Sequence, residues 1–330
     1  MSKPKYSLIS PTFGRPEEVT EFLESLLSQN YQGFEVILGD GTPKDTLRPL
    51  LAKYENNEVY PLKIVYKEYL PVSDARNEAA KLAAGDYFIF LDSDCLIPPD
   101  YLNAIDAALE LKPLDLFGGP DAARDDFNNL QKAISYAMTA TLTTGGIRGK
   151  KKHVGTYHPR GFNMGISRKA FEAVNGYNTQ FVCGEDVELS IRIIAAGFTS
   201  GFIPEAFVYH KRRTTLTKFY RQVFRFGAAR INLWKAHPGE LKLAHLFPAV
   251  FILYILFSIL AIPLLTPLFF SLLALYLFVV FVDSSIANSS IAIGALSVAC
   301  TVVMNVGYGE GFIKNFMSRA VLGSPTGIKL

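Results

Sequence analysis

The sequence predicts an α/β fold, with a mostly parallel sheet covered by helices on both faces and membrane helices following at the C-terminal end. Three observations predict it. Short apolar strands alternate with amphipathic helices up to Leu111. The strands are nearly unbroken apolar runs, such as the YFIFL of residues 87–91, as strands covered on both faces require. From Leu246 to Val282 no side chain is charged.

The first strand is YSLISP, residues 6–11. It is followed by a helix over residues 15–29, RPEEVTEFLESLLSQ, with Pro16 in the first turn where a missing N–H costs nothing. FEVILGD (34–40) is a strand, KDTLRPLLAKYE (44–55) a helix and LKIVYKE (62–68) a strand. SDARNEAAKLAA (73–84) is a helix stopped by Gly85, and YFIFLD (87–92) is the fourth strand. The pattern then loosens. PPDYLNAIDAALELK (98–112) precedes DLFGGP, one more strand with a tight turn, and FNNLQKAISYAMTATLTT (127–144) is a helix. A long loop of glycines and bases, GGIRGKKKHVGTYHPRG, leads to FNMGIS, the short helix KAFEAV, the turn NGYN, the helix EDVELSIRIIAAG and the strand GFIPEAFVYH (201–210). In open parallel sheets ligands sit beyond the carboxyl ends of the strands, which directs attention to loops 11–15, 40–45, 69–77 and 92–98.

A lipid-spanning helix needs roughly 20 apolar residues. Segments 245–265, 266–282 and 289–308 come near that length, so three membrane segments are expected, the second somewhat short. Buried core helices are the alternative, but no polar face interrupts the apolar run. MSKPKYSLIS has no apolar core before a cleavage site, so it does not read as a signal peptide, and the first 240 or so residues are expected in the cytosol beside an inner membrane. Arg212, Arg213, Lys218, Arg221, Arg225, Arg230, Lys235 and Lys242 crowd the approach to the first segment, as a cytoplasmic flank should. Three spans would, however, carry Lys314, Arg319 and Lys329 to the far side, against the same rule. The expected organisation is a catalytic domain over 1–212, a basic amphipathic interfacial region over 213–243, membrane segments over 244–312 and a basic stretch over 313–330.

A net charge of +3 is too small for general nucleic-acid binding, and the clustering of bases near the membrane and in RGKKKH points to lipid or phosphate anions. Cys95, Cys183 and Cys300 have neither metal-ligand spacing nor a disulfide pattern, which fits a reducing compartment.

Asp92 and Asp94, two apart at a strand end, offer hard oxygens to magnesium or manganese, or else lie in a solvated loop. Asp40 ends the second strand and can accept from a base or ribose, or form an Asp-Gly turn. Arg76 opens a helix on the same side and can meet a phosphate or the solvent. Glu185 and Asp186 begin a helix, as dipole-stabilising residues or as a general base. His210 ends a strand and is either a third metal ligand or a structural histidine.

In order and spacing, SLISPTFGRP, the Asp after the second strand, ARN, LDSD and GEDVELSIR resemble the family 2 glycosyltransferases over roughly residues 6–210. That resemblance implies a GT-A fold with a Rossmann-like half. It implies that Pro11, Thr12, Asp40 and Arg76 line the nucleotide pocket, that Asp92 and Asp94 form the divalent-cation and diphosphate site, and that Asp186 is the base with Glu185 in support; Arg15 and Ser93 are added as nucleotide-binding candidates and His210 as the candidate third metal ligand. The reaction implied is inverting transfer of one sugar from a nucleotide-sugar donor to a lipid-linked or glycan acceptor at the bilayer. The family often has two aspartates after the second strand, where Gly39 and Asp40 stand here. QVFRF (222–226) resembles the Q-x-x-R-W of processive members except for its final Phe. A processive polysaccharide synthase, a nucleotidyltransferase and an inactive membrane scaffold are the alternatives.

Overall fold

The computed structural model describes residues 3–122, 127–145, 157–260 and 266–324, so RGKKKH and Lys329 lie outside the described residues. Two compact units emerge, one from residues up to Ala122 together with those reaching His210, the other from the remainder. The chain therefore leaves the first unit after Ala122 and returns to it before β8.

In chain order the elements are β1 (Tyr6–Thr12), α1 (Pro16–Leu27), β2 (Phe34–Asp40), α2 (Arg48–Leu51), β3 (Leu62–Tyr66), α3 (Val72–Leu82), β4 (Tyr87–Leu91), β5 (Cys95–Leu96), α4 (Tyr101–Leu111), β6 (Leu116–Gly118) and β7 (Asp121–Ala122). The second unit contributes α5 (Asn129–Thr139) and α6 (Thr141–Thr144). There follow β8 (Asn163–Ser167), α7 (Arg168–Ala173), α8 (Glu185–Ala195), β9 (Ser200–Phe202) and β10 (Val208–His210), and then α9 (Leu216–Ala236), α10 (Phe247–Leu260), α11 (Thr266–Ala287) and α12 (Ile291–Phe316) of the second unit.

The first unit is built on a seven-stranded sheet in the order β3-β2-β1-β4-β8-β6-β9. It is parallel except where β8 runs against both β4 and β6. Alternation along β4 explains its unbroken apolar run: Ile89 and Leu91 join the core under α1 and α4, while Phe88 and Phe90 join the core under α3, α7 and α8. Truncating a ring such as Phe90 to Ala costs about 3–5 kcal/mol at a site of this kind. The register sets Thr12 beside Asp40, so the ends of β1 and β2 reach the same edge of the sheet.

Three expectations fail for identifiable reasons. The helix expected over 127–144 breaks into α5 and α6 at Ala140, whose ψ of 144° is extended. The helix expected over 44–55 is reduced to the single turn α2 flanked by 3-10 turns, because Lys44 and Asp45 take left-handed φ values of 57° and 52° and Pro49 follows within the first turn of α2. The strand expected over 201–210 is two strands in two sheets. Pro204 stands between β9 and β10, has no N–H for a ladder, and β10 goes on to pair with β5 and β7.

Glu35 is a buried carboxylate on β2. It accepts from Lys63 Nζ at 2.7 Å, Ser7 Oγ at 2.6 Å and the Ala84 N–H at 2.5 Å. Burial alone would raise its pKa, and those donors outweigh burial and hold the carboxyl below its ordinary value. A depressed carboxylate contributes stability that is complete above its unfolded pKa and is lost as pH falls through the folded one. Denaturant midpoints measured from pH 7 downward should therefore fall more steeply below about pH 4.3 in the wild type than in Glu35→Gln.

In the second unit, among the described residues, two helices are long and apolar enough to span a membrane, not three. The 14 residues of α10 fall short. In α11, 11% of the apolar stretch is buried within the unit, against 44% in α12. The basic region expected over 213–243 forms α9, whose buried stripe includes Phe219, Val223, Ala228, Ile231 and Leu233 while Arg221 and Arg225 are exposed. An arginine at mid-bilayer costs roughly 2.5–3.5 kcal/mol, so Arg221 and Arg225 disfavour a bilayer-spanning placement of α9.

Candidate active site

At the carboxyl edge of the parallel strands, β2 ends in Asp40, which is fully buried. Its Oδ1 accepts from Thr12 Oγ1 at 3.0 Å, Thr42 Oγ1 at 2.6 Å and the Thr42 N–H at 3.0 Å. Its Oδ2 is buried with no hydrogen-bond partner among the described residues. A buried acceptor left open is costly unless a ligand fills it, so Asp40 is built to receive a donor. Thr42 also accepts the Gly14 N–H at 2.8 Å, tying the loop after β1 to the loop after β2. The residue before Asp40 must be glycine, because a Cβ at position 39 would lie 2.6 Å from the Ala75 carbonyl oxygen of α3. A second aspartate cannot be accommodated there.

Arg76 lies on α3 and is 2% exposed. Its Nη2 donates to Asp92 at 2.8 Å and its Nη1 to Glu185 at 2.9 Å, with the Gly161 carbonyl a further acceptor at 3.4 Å. The guanidinium carbon sits 5.2 Å from the centroid of the Tyr177 ring. Burial works to lower its pKa, and Tyr177, Asp92, Glu185 and Asp186 together push it up, so the cation is permanent. From sequence alone, Arg76 can meet a phosphate or the solvent. The structure places both of its terminal nitrogens on carboxylates of the chain.

Beside it, Glu185 and Asp186 begin α8. Burial, then the adjacent Asp186 charge, raises the Glu185 pKa, with Arg76 opposing. Asp186 is oriented by backbone: Oδ2 accepts the Gly161 N–H at 2.9 Å and Oδ1 the Val187 N–H at 2.7 Å. Carboxylate oxygens carry about four acceptor positions between them, so two remain for a substrate.

Asp94 and His210 come together across the β5-β10 pairing, which sets His210 opposite Cys95. His210 Nε2 lies 3.2 Å from Asp94 Oδ1, and its ring stacks on Phe162 at 4.8 Å. Arg15 approaches the other Asp94 oxygen at 3.5 Å and pairs with Glu18 at 3.0 Å. Two atoms bound side by side to an ion at about 2.1 Å stand about 3 Å apart, so Asp94 and His210 fit a small divalent cation. Cys95 is close enough to complete a group of three. Burial, followed by the Asp94 and Asp92 charges, drives its thiol pKa well up, so it stays protonated and suits a hard cation poorly. Asp92 is engaged by Arg76, while Ser93 and Pro11 lie half-buried at the same edge.

Sequence reasoning missed Gly161, Phe162, Tyr177 and Thr42. Only Thr42 carried a signal, as a hydroxyl two residues after a strand-end aspartate. Tyr177 was concealed in the turn NGYN, and Gly161 acts through its backbone.

A family model described as glycosyl transferase family 2 matches residues 7–174. The chain is 25% identical over 77% of its length to a dolichyl N-acetyl-alpha-D-glucosaminyl phosphate 3-beta-D-2,3-diacetamido-2,3-dideoxy-beta-D-glucuronosyltransferase of Methanococcus voltae, covering 80% of that protein. It is 23% identical to the succinoglycan biosynthesis protein ExoA of Rhizobium meliloti, over 73% of each chain. It is 24% identical to the O-antigen chain rhamnosyltransferase WbaN of Salmonella anatum, over 68% of this chain and 71% of the other. Among solved structures, the mannosyltransferase PcManGT of Pyrobaculum calidifontis, in complex with GDP-Man and Mn2+, superposes with a TM-score of 0.61 at 18% identity, covering 95% of this chain and 87% of that one. The likeness establishes the shared GT-A fold.

Proposed function

The chain belongs to glycosyl transferase family 2, and on that premise we propose an inverting, metal-dependent enzyme that moves one sugar from a nucleotide-diphosphate sugar to a hydroxyl of a membrane-associated acceptor, in glycan or envelope polysaccharide assembly. The observation that carries this reading is the Arg76 bridge, which joins Asp92 of the strand-end acidic motif to Glu185 of the helix-start acidic motif. A donor site and a base site are thereby held in one rigid set of side chains.

In this reading Asp40 takes a donor group of the nucleotide base or ribose on its open Oδ2, and Thr12, Pro11 and the Arg15 loop line the same pocket. Asp94 and His210 hold the cation, which when bound neutralises the diphosphate and stabilises it as it departs. Asp186, fixed by the Gly161 and Val187 N–H groups, takes the proton of the acceptor hydroxyl as that oxygen attacks the anomeric carbon. Glu185 is committed to Arg76, which leaves Asp186 as the carboxylate able to receive a proton. Membrane association is supported by the apolar exposure of α10 and α11 and by the basic face of α9. The acceptor class is supported by the relatives from Methanococcus voltae and Salmonella anatum, a dolichyl-phosphate-sugar glycosyltransferase and an O-antigen chain rhamnosyltransferase by name.

Calorimetric titration of the detergent-solubilised chain with UDP and GDP tests the donor half. Binding of at least one of them should strengthen with manganese or magnesium and lose that dependence in Asp94→Ala and in His210→Ala. Metal dependence unchanged in both variants removes these residues from the cation site.

A further inference from the structure

We propose that only α10 and α11 enter the bilayer, as a paired insert, and that α12 stays on the protein side, so that Ser324 lies on the same membrane side as α9. The inference rests on the membrane association proposed above and assigns its topology.

Residue pairs joining α9 and α12 advance together along both helices. Tyr220 donates to Glu310; Asn315 donates to the Ala228 carbonyl at 2.7 Å and to Asn232 Oδ1 at 2.9 Å; Arg319 donates to the same Asn232 oxygen at 2.9 Å. The backbones touch: a Cβ at Gly227 would lie 1.9 Å from the Tyr308 carbonyl oxygen, and one at Gly311 would lie 2.0 Å from that of Phe224. Helices packed this closely and in parallel cannot be separated by a membrane surface. Sending α12 across the bilayer would carry Arg221, Arg225 and Arg230 of α9 into hydrocarbon with it.

The other two helices behave differently. The start of α10 is held by α9 and α12 through Ala249, packed with Ile231 and Phe312. The end of α11 is held through Ser284, which bonds Ser297 of α12 at 2.7 Å. Away from that base both helices expose largely apolar surface, including Leu256, Phe257 and Leu260 on α10 and Leu268, Leu272 and Leu275 on α11. Tyr254 clips the two together by donating to the Phe269 carbonyl at 2.6 Å. An α-helix rises 1.5 Å per residue, so the 22 residues of α11 reach about 33 Å, enough to cross. The chain enters along α10, whose 14 residues reach about 21 Å, and returns along α11. A path that enters and returns brings Lys314 and Arg319 to the same side as the arginines of α9, and the conflict with the positive-inside rule disappears.

The test uses the full chain in membrane vesicles of both orientations, with Cys183→Ser removing the half-buried native thiol. Gly239→Cys, in the α9-α10 connection, and Ser324→Cys are each labelled with a membrane-impermeant maleimide, and protease protection of an epitope fused after Leu330 reports independently of either variant. Labelling of both cysteines from the same side, with matching epitope digestion, is expected. Labelling of Ser324→Cys only from the side opposite Gly239→Cys overturns the inference. Carbonate washing separates the two levels: a chain released from the vesicles defeats the membrane reading itself, whereas a chain retained with opposed cysteines defeats only the topology.

Discussion

Sugar transfer by Asp186→Asn should fall by roughly 10²–10⁴-fold, the range lost when a positioned general base is removed, while nucleoside diphosphate binding holds at the wild-type value. The separation follows from where the carboxylate is anchored. Its two bonds go to the Gly161 and Val187 N–H groups and none goes to Asp40, Asp94 or His210. Asparagine keeps one oxygen to accept one of those N–H groups, so the loop before β8 stays near its place, but the amide has no affinity for the acceptor's proton. Isothermal titration alongside a transfer assay makes the comparison. Donor binding lost together with transfer would move Asp186 from the base role to the donor side.

Replacing Arg76 should be the most destabilising single change at the site. Arg76→Met keeps much of the side chain's bulk but strands Asp92 and the buried Glu185 without their shared cation, and breaking a buried pair costs about 3–5 kcal/mol. For a unit of this size that corresponds to a fall of roughly 6–20 °C in Tm. Arg76→Lys should recover little, because an ammonium cannot reach two carboxylates with the planar fork that guanidinium provides. The triple variant Arg76→Met, Asp92→Asn, Glu185→Gln removes all three charges and should regain a large part of the lost stability without regaining transfer. Calorimetry on these three proteins checks the account. A triple variant no more stable than Arg76→Met would show that the guanidinium acts through packing on Tyr177 rather than through charge.

The parallel half of the sheet was legible because strands covered on both faces must be apolar at every position, and residues 87–91 are. That β8 runs against β4 and β6 was not legible, since FNMGIS has the same burial in either direction and only the chain path decides. The interruption at Pro204 was written in the sequence, and a strand drawn through it ignored the missing N–H. At the site, Asp94 and His210 were legible only as strand-end residues of suitable chemistry, and the contacts of Arg76 were not legible at all. Its partner Glu185 lies 109 residues further along, and no local pattern shows which carboxylate a buried guanidinium will meet. Nor does sequence spacing reveal that α3 closes over position 39, which is the steric reason this chain has glycine and a single aspartate after its second strand. Hydropathy registers apolar residues without registering what they pack against, and part of the apolar surface of α12, at Ile293, Cys300 and Met304, is packed with residues of α5 and α9.

The central claim, a metal-dependent transfer from a nucleotide sugar, is tested most directly by incubating the purified full chain in detergent with a panel of UDP-, GDP- and dTDP-sugars, with manganese, with magnesium and with chelator. Release of nucleoside diphosphate from at least one donor, present with either cation and abolished by chelator, is the predicted result. Release that proceeds equally in chelator would contradict the account, as would the absence of both turnover and metal-dependent nucleotide binding across the panel.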